Sequence, residues 1–187
     1  MKTNIFENFS DIIKDDCLLI EKQKNAMVIN MTEPRLYPSS IVLNQNTLWI
    51  VGGEKSKRTN RTYLDTTEFI SINSNQEINH KQGPTLPFGI SKQCMVQYNS
   101  SAIYLIGGQK TSDEMSKEVW IIDPTKNFTF KEGPALLDTS RFMGSCAKMK
   151  VNNTEIIVVG GGKDFNESMW NAYESVELLF PTGWVKG

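Results

Sequence analysis

Seven Asn-x-Ser/Thr triplets run through this chain, starting at Asn8, Asn30, Asn60, Asn99, Asn127, Asn152 and Asn166, none with proline in the middle. Each is an acceptor pattern for N-linked glycosylation. Five of them, at Asn60, Asn99, Asn127, Asn152 and Asn166, fall in segments that read as loops or turns, and a bulky glycan needs such a surface position. This placement gives the expectation of a chain that passes through a secretory pathway. The alternative is a cytoplasmic chain whose loops are simply rich in Asn and Ser.

Other reactive residue types are sparse. His80 is the single histidine, so a metal site with two protein histidines is ruled out and a Ser-His-acid triad has one candidate. In its polar context His80 reads as a surface residue. Gly160-Gly161-Gly162-Lys163 lacks the first glycine of a phosphate loop and the Ser/Thr after its lysine. Asp164-Phe165-Asn166-Glu167 does not have the spacing of a calcium loop. Neither a catalytic set, nor a metal site, nor a cofactor is expected. The cysteines are odd in number: Cys17, Cys94 and Cys146. Cys94 and Cys146 hold comparable places in two repeated units and read as small buried apolar residues. Such positions need not come within the disulfide reach of about 7 Å between Cα atoms.

The elements that position these residues are repeated. Leu48-Trp49-Ile50-Val51-Gly52-Gly53 returns as Ile103-Tyr104-Leu105-Ile106-Gly107-Gly108 and again as Ile156-Ile157-Val158-Val159-Gly160-Gly161. An apolar run of this kind reads as a strand buried on both faces. A near-constant spacing means one supersecondary unit repeated. A strand precedes each diglycine run across an Asn/Ser turn: Cys94 to Tyr98 in one unit and Cys146 to Met149 in another. A polar loop and a third strand follow: Glu68 to Ile72, Glu118 to Pro124 and Ser175 to Pro181. A weaker fourth strand comes at Ile78 to Lys81, Phe128 to Lys131 and Trp184-Val185. Four antiparallel strands at this period form the pattern of a β-propeller blade.

The pattern resembles the kelch repeat, over about residues 34 to 187. Tyr104, Gly107, Gly108, Asp123 and Pro124 match that family's marks, as do Trp184 and Arg141 in the third unit and Arg35 before the first. Phe128 or Phe130 stands where tryptophan is expected in the second unit, and the first unit has neither Asp-Pro nor the tryptophan. The resemblance implies an all-β fold of four-stranded antiparallel kelch-type blades. The units are 34–83, 84–133 and an incomplete 134–187. Segment 1–33 is either the last two strands of a preceding blade or an amphipathic segment packed against the first. Propellers close a ring of about four to eight blades, so the chain reads as part of a longer, incomplete propeller that needs further blades to close. Trp49, Tyr104, Trp120 and Phe180 are expected between blades. The glycine pairs are expected to end their second strands.

Kelch-like propellers commonly hold partners on loops, which implies a binding module for a protein or glycan with no catalysis of its own. Other members of the family make a fragment of a galactose-oxidase-type enzyme or of a ubiquitin-ligase substrate receptor the alternative. Loops after the second strands share a face with the links between units. That face collects Glu54 and Lys55, Gln109 and Lys110, Lys163, and from the links Tyr37, Phe88, Arg141 and Phe142. Aromatics beside arginine are common anchors of interfaces. Phe88 and Phe142 could equally plug the channel or cover a blade edge. The formal net charge is −1, and no basic stripe dominates, so no nucleic-acid partner is expected. Lys55, Lys57, Arg58 and Arg61 read as a solvated loop. No apolar run approaches the roughly 20 residues that span a bilayer, so membrane insertion is not expected.

Overall fold

A computed structural model describes residues 30–57, 60–136, 140–166 and 169–187. The helical spacing read at 5–14, the two short apolar runs between Cys17 and Ile29, and Asn8 and Arg58 lie outside the described residues. Thr32–Gly187 forms one compact unit, and it is all-β.

Three four-stranded antiparallel sheets follow one another along the chain. The first contains β1 (Ser39–Asn44), β2 (Thr47–Val51), β5 (Thr67–Ile72) and β6 (Ile78–Gln82). The second contains β7 (Cys94–Asn99), β8 (Ala102–Ile106), β9 (Val119–Asp123) and β10 (Thr129–Glu132). The third contains β11 (Ser145–Val151), β12 (Thr154–Gly160), β15 (Val176–Phe180) and β16 (Gly183–Lys186). In each sheet the strands pair in chain order; short turns join the outer pairs, and longer segments join the two middle strands. Two segments expected as polar loops are two-stranded ribbons instead: β3 (Glu54–Lys57) with β4 (Asn60–Tyr63), and β13 (Lys163–Asn166) with β14 (Met169–Ala172). The first ribbon is polar almost throughout, so it carries no apolar alternation by which a strand is recognised.

The central strands explain the stacking. Successive strand residues point to opposite faces. From β8, Ile103 and Leu105 enter a core with Trp49 and Val51 of the first sheet and Ile122 of the second. The intervening Tyr104, with Ile106, enters a second core with Ile157, Val159, Leu179 and Trp184 of the third. The second sheet is therefore covered on both sides, as its continuous apolar run requires. Trp120 packs in the first core and Phe88 rests on it, ring centroids 5.2 Å apart. Phe180 instead borders an open groove with Tyr98, Tyr104 and Pro134. Trp184 Nε1 donates to Pro134 O at 2.7 Å, tying the fourth strand of the third sheet to the link before it.

Cys94 and Cys146 are joined, their Cα atoms 5.9 Å apart. In sequence they read only as small buried apolar residues that need not come within disulfide reach. The first strands β7 and β11 lie side by side, which brings the cysteines within reach although they belong to different sheets. They are 52 positions apart in the chain, and the crosslink removes chain entropy from the unfolded state worth roughly 4 kcal/mol.

The same backbone hydrogen bonds recur after each second strand. Gly52 N donates to Thr66 O, Gly107 N to Glu118 O and Gly161 N to Ser175 O. Leu64 N donates to Gly53 O, Ser116 N to Gly108 O and Tyr173 N to Gly162 O. The third glycine pair is thus Gly161–Gly162, one residue later than expected, because Gly160 serves as the last residue of β12. The backbone confirms the shift: φ is +62° and +104° at Gly107 and Gly108, and +65° and +86° at Gly161 and Gly162. A Cβ at Gly107 would sit 2.4 Å from Arg141 O. Gly107→Ala is expected to cost about 2 kcal/mol or more in urea denaturation. Gly183→Ala, at φ +125° but with no atom within 4 Å of the added Cβ, is expected to cost clearly less.

Candidate functional site

The links that lead into β1, β7 and β11 repeat one geometry. Each begins with a residue bridged to the segment just past the glycine pair: Leu36 with Glu54, Ser91 with Gln109, Phe142 with Lys163. The next residue in each link has a left-handed backbone: φ is +53° at Tyr37, +59° at Lys92 and +60° at Met143. None of the three is glycine, and such strain costs on the order of 1–3 kcal/mol per residue and concentrates at functional sites. These residues are also bonded to one another. Lys92 N donates to Tyr37 O at 3.0 Å, and Met143 N donates to Lys92 O at 2.9 Å. One residue from each unit thus joins a ladder that crosses from sheet to sheet.

Around the ladder lies a cleft of about 380 Å³, lined by Leu36, Tyr37, Glu54, Arg61, Lys92, Gln109, Phe142, Met143 and Lys163. Its rim is apolar and open: Leu36 is 49% exposed, Tyr37 51% and Met143 48%. Its floor is polar and locked. Lys92 Nζ donates to Glu54 Oε2 at 2.9 Å and to Gln109 Oε1 at 2.6 Å. The same nitrogen lies 5.0 Å from the Tyr37 ring centroid and 5.7 Å from that of Phe142, close enough for cation–π attraction. Ser91 Oγ donates to Glu54 Oε2 at 3.1 Å. The Lys92 charge is therefore neutralised where it is buried, and its work is to fix the aromatic rings.

The nine residues expected on this face divide into groups. Tyr37, Glu54, Gln109, Phe142 and Lys163 line the cleft, with Tyr37 exposed and Glu54, Gln109 and Phe142 buried in its base. Lys55 pairs with Glu33. Lys110 donates to Glu118 Oε1 at 2.7 Å and lies 4.5 Å from the Phe88 ring centroid; Phe88 itself covers Trp120. Burial pushes the Glu118 carboxyl up, but the hydrogen bonds from Lys110 and Trp120 outweigh it and leave the group below the ordinary carboxylate range. Leu36, Lys92 and Met143 were not anticipated. Their residue types differ from link to link, so only the repeated hydrogen bonds align them. Arg61 reads in sequence only as part of a basic loop.

Arg141 takes a different place from the one expected. It is buried, and its guanidinium reaches inward beneath the glycine turn. Nη1 donates to Gly161 O at 3.0 Å and Ser175 O at 3.2 Å, and Nη2 donates to Ser175 Oγ at 3.1 Å and Glu177 Oε1 at 2.7 Å. Arg35 does the same in the first unit, with Nη1 on Gly52 O and Thr66 O at 2.9 Å each. Burial lowers the Arg35 pKa, against the raising pull of Glu33 and Glu68. A planar fork of donors suits paired carbonyls that a turn leaves facing inward. These arginines clamp the turn; they are not presented to a partner.

Among the described residues, no group of three potential metal-binding side chains is present, and no helix is long and apolar enough to cross a membrane. His80 lies on β6, where Nδ1 is 2.7 Å from Glu68 Oε1. No family model matches the chain, and no curated protein matches it.

Removing one member of a buried ion pair strands the other. Both side chains of the Arg141–Glu177 pair are at most 1% exposed. Arg141→Ala is therefore expected to destabilise the fold by about 3–5 kcal/mol. The double variant Arg141→Met/Glu177→Leu is expected to lose clearly less than the sum of the two single substitutions, as measured by chemical denaturation.

Proposed function

We propose that this chain is a set of kelch-type β-propeller blades whose role is to hold a protein or glycan partner at the cleft around Tyr37 and Lys92, without catalysis of its own. The observation that carries this reading is the left-handed ladder of Tyr37, Lys92 and Met143 beneath an open rim. Three non-glycine residues are kept in a costly backbone conformation at one spot. Around that spot Leu36, Tyr37 and Met143 expose apolar surface, while the charge below is internally satisfied. A rigid aromatic with a fixed neighbourhood is the kind of group that anchors interfaces. The reading of the units as propeller blades is supported by their four-strand order, their face-to-face stacking and the diglycine turns. Further blades would extend the same ladder and complete the ring.

The test compares the wild-type chain with Tyr37→Ala and Leu36→Asp on a panel of immobilised glycans and secreted proteins from the source organism. A partner retained by the wild type is expected to bind each variant at least about 1–2 kcal/mol more weakly, while the melting temperature hardly changes. Equal retention of the wild type and both variants would rule out this cleft.

A further inference from the structure

We infer that the end of the sheets opposite the cleft is a glycosylated face, with N-linked oligosaccharides on Asn99, Asn127 and Asn152, in a chain that folds in an oxidising compartment. Strand register places the three asparagines together. Cys94 begins β7 at the cleft end and Asn99 ends it. At about 3.3 Å per residue, the five steps between them put Asn99 roughly 17 Å from the cleft end. Asp123 pairs with Thr129 across the β9–β10 turn that holds Asn127. Val151 pairs with Thr154 across the β11–β12 turn that holds Asn152. The second and third sheets point the same way. The Cys94–Cys146 bond joins their cleft ends, and Lys148 Nζ donates to Tyr98 O at 2.8 Å further along. Asn60 and Asn166 belong to the ribbons that arise at the cleft end and are not part of this face.

Each of the three side chains is exposed, and each turn is held by something other than the asparagine amide nitrogen. Asn99 Oδ1 accepts from Ser101 N at 2.9 Å and Ser101 Oγ at 3.1 Å, and its Nδ2 has no acceptor among the described residues. Asn127 has φ +52°, while its neighbour Phe128 packs against Trp49 and Phe69 of the first sheet with centroids 4.8 and 5.3 Å away. The turn is thereby pinned by Phe128, with Asn127 left in solvent. Asn152 and Asn153, at φ +47° and +66°, make a two-residue left-handed turn that asparagine tolerates. All three head an Asn-x-Ser/Thr triplet. The disulfide is the independent observation, since such bonds persist in secreted and luminal proteins and are rare in reducing compartments.

The modification is a substitution at the anomeric carbon of an oligosaccharide carried on a lipid pyrophosphate. The bond from C1 to the pyrophosphate oxygen breaks with its electron pair, Nδ2–C1 forms, and the amide proton passes to a base of the transferase. Glycans at this end leave the cleft uncovered, and the inference stands whether or not the cleft binds a partner.

Protein isolated from its own source tests it. The chain is digested without reduction and treated with peptide:N-glycanase in heavy-oxygen water before mass spectrometry. Heavy-oxygen aspartate at two or more of Asn99, Asn127 and Asn152, together with a crosslinked Cys94–Cys146 peptide, is the expected result. Conversion at one or none overturns the glycosylated face even if the disulfide is found. Free thiols at both cysteines overturn the oxidising compartment.

Discussion

Consecutive sheets meet through a backbone contact that recurs at the glycine turns. Gly53 N donates to Ile90 O at 2.8 Å, and Gly108 N donates to Arg141 O at 2.9 Å. The carbonyl comes from the link that leads into the next unit, and it lies where a side chain on the preceding glycine would be. A Cβ at Gly52 would meet Ile90 O at 2.4 Å, as one at Gly107 would meet Arg141 O. The missing side chain and the left-handed backbone are thus both used: one admits the neighbouring chain, the other aims the N–H at it. The positions of the links into β7 and β11, and with them Lys92 and Met143 of the ladder, follow from that contact.

Around this contact the units differ in how they brace the turn. The first and third use Arg35 and Arg141, each spanning two carbonyls. The second has Ile90 at the corresponding place, buried in the core between the first two sheets, and braces its outer edge with Lys110, Glu118 and Trp120 instead. A buried arginine must be desolvated, and acceptors on its guanidinium offset that cost; the two terminal nitrogens of Arg141 have Gly161, Ser175 and Glu177 for this purpose, while its Nε has no acceptor among the described residues. The disulfide adds a constraint of another kind, since it joins β7 to β11 covalently at the same end of the sheets as the glycine contacts.

Much of this was legible in the sequence, for physical reasons. Strands such as Ile103–Ile106 are apolar on both faces and end at glycine, so their existence, order and double burial could be read directly. The ribbon Glu54–Lys57/Asn60–Tyr63 could not, because its pairing rests on backbone hydrogen bonds and leaves almost no apolar trace. The third glycine pair was displaced by one because three glycines stand in a row and only φ tells which two make the turn. Arg141 beside Phe142 looks the same in sequence whether its guanidinium faces a partner or folds under a turn; the inward carbonyls of Gly161 and Ser175 decide it. The cleft was half legible. Glu54, Gln109 and Lys163 follow from their place near the diglycines, and Tyr37 and Phe142 from the links between units. Lys92 and Met143 share only a backbone conformation with Tyr37. The Cys94–Cys146 pair depended on how closely neighbouring first strands approach, which no spacing along the chain reveals.

Amide hydrogen exchange followed residue by residue tests the central contact most directly. If Gly53 N and Gly108 N are bonded to the next unit as described, their amides should exchange on the timescale of the core amides of β8, because opening either bond requires adjacent sheets to separate. Exchange at both glycines as fast as at the exposed turn amide of Ser101 would contradict the account, since the sheets would then be stacked without the contact on which the links into β7 and β11 depend.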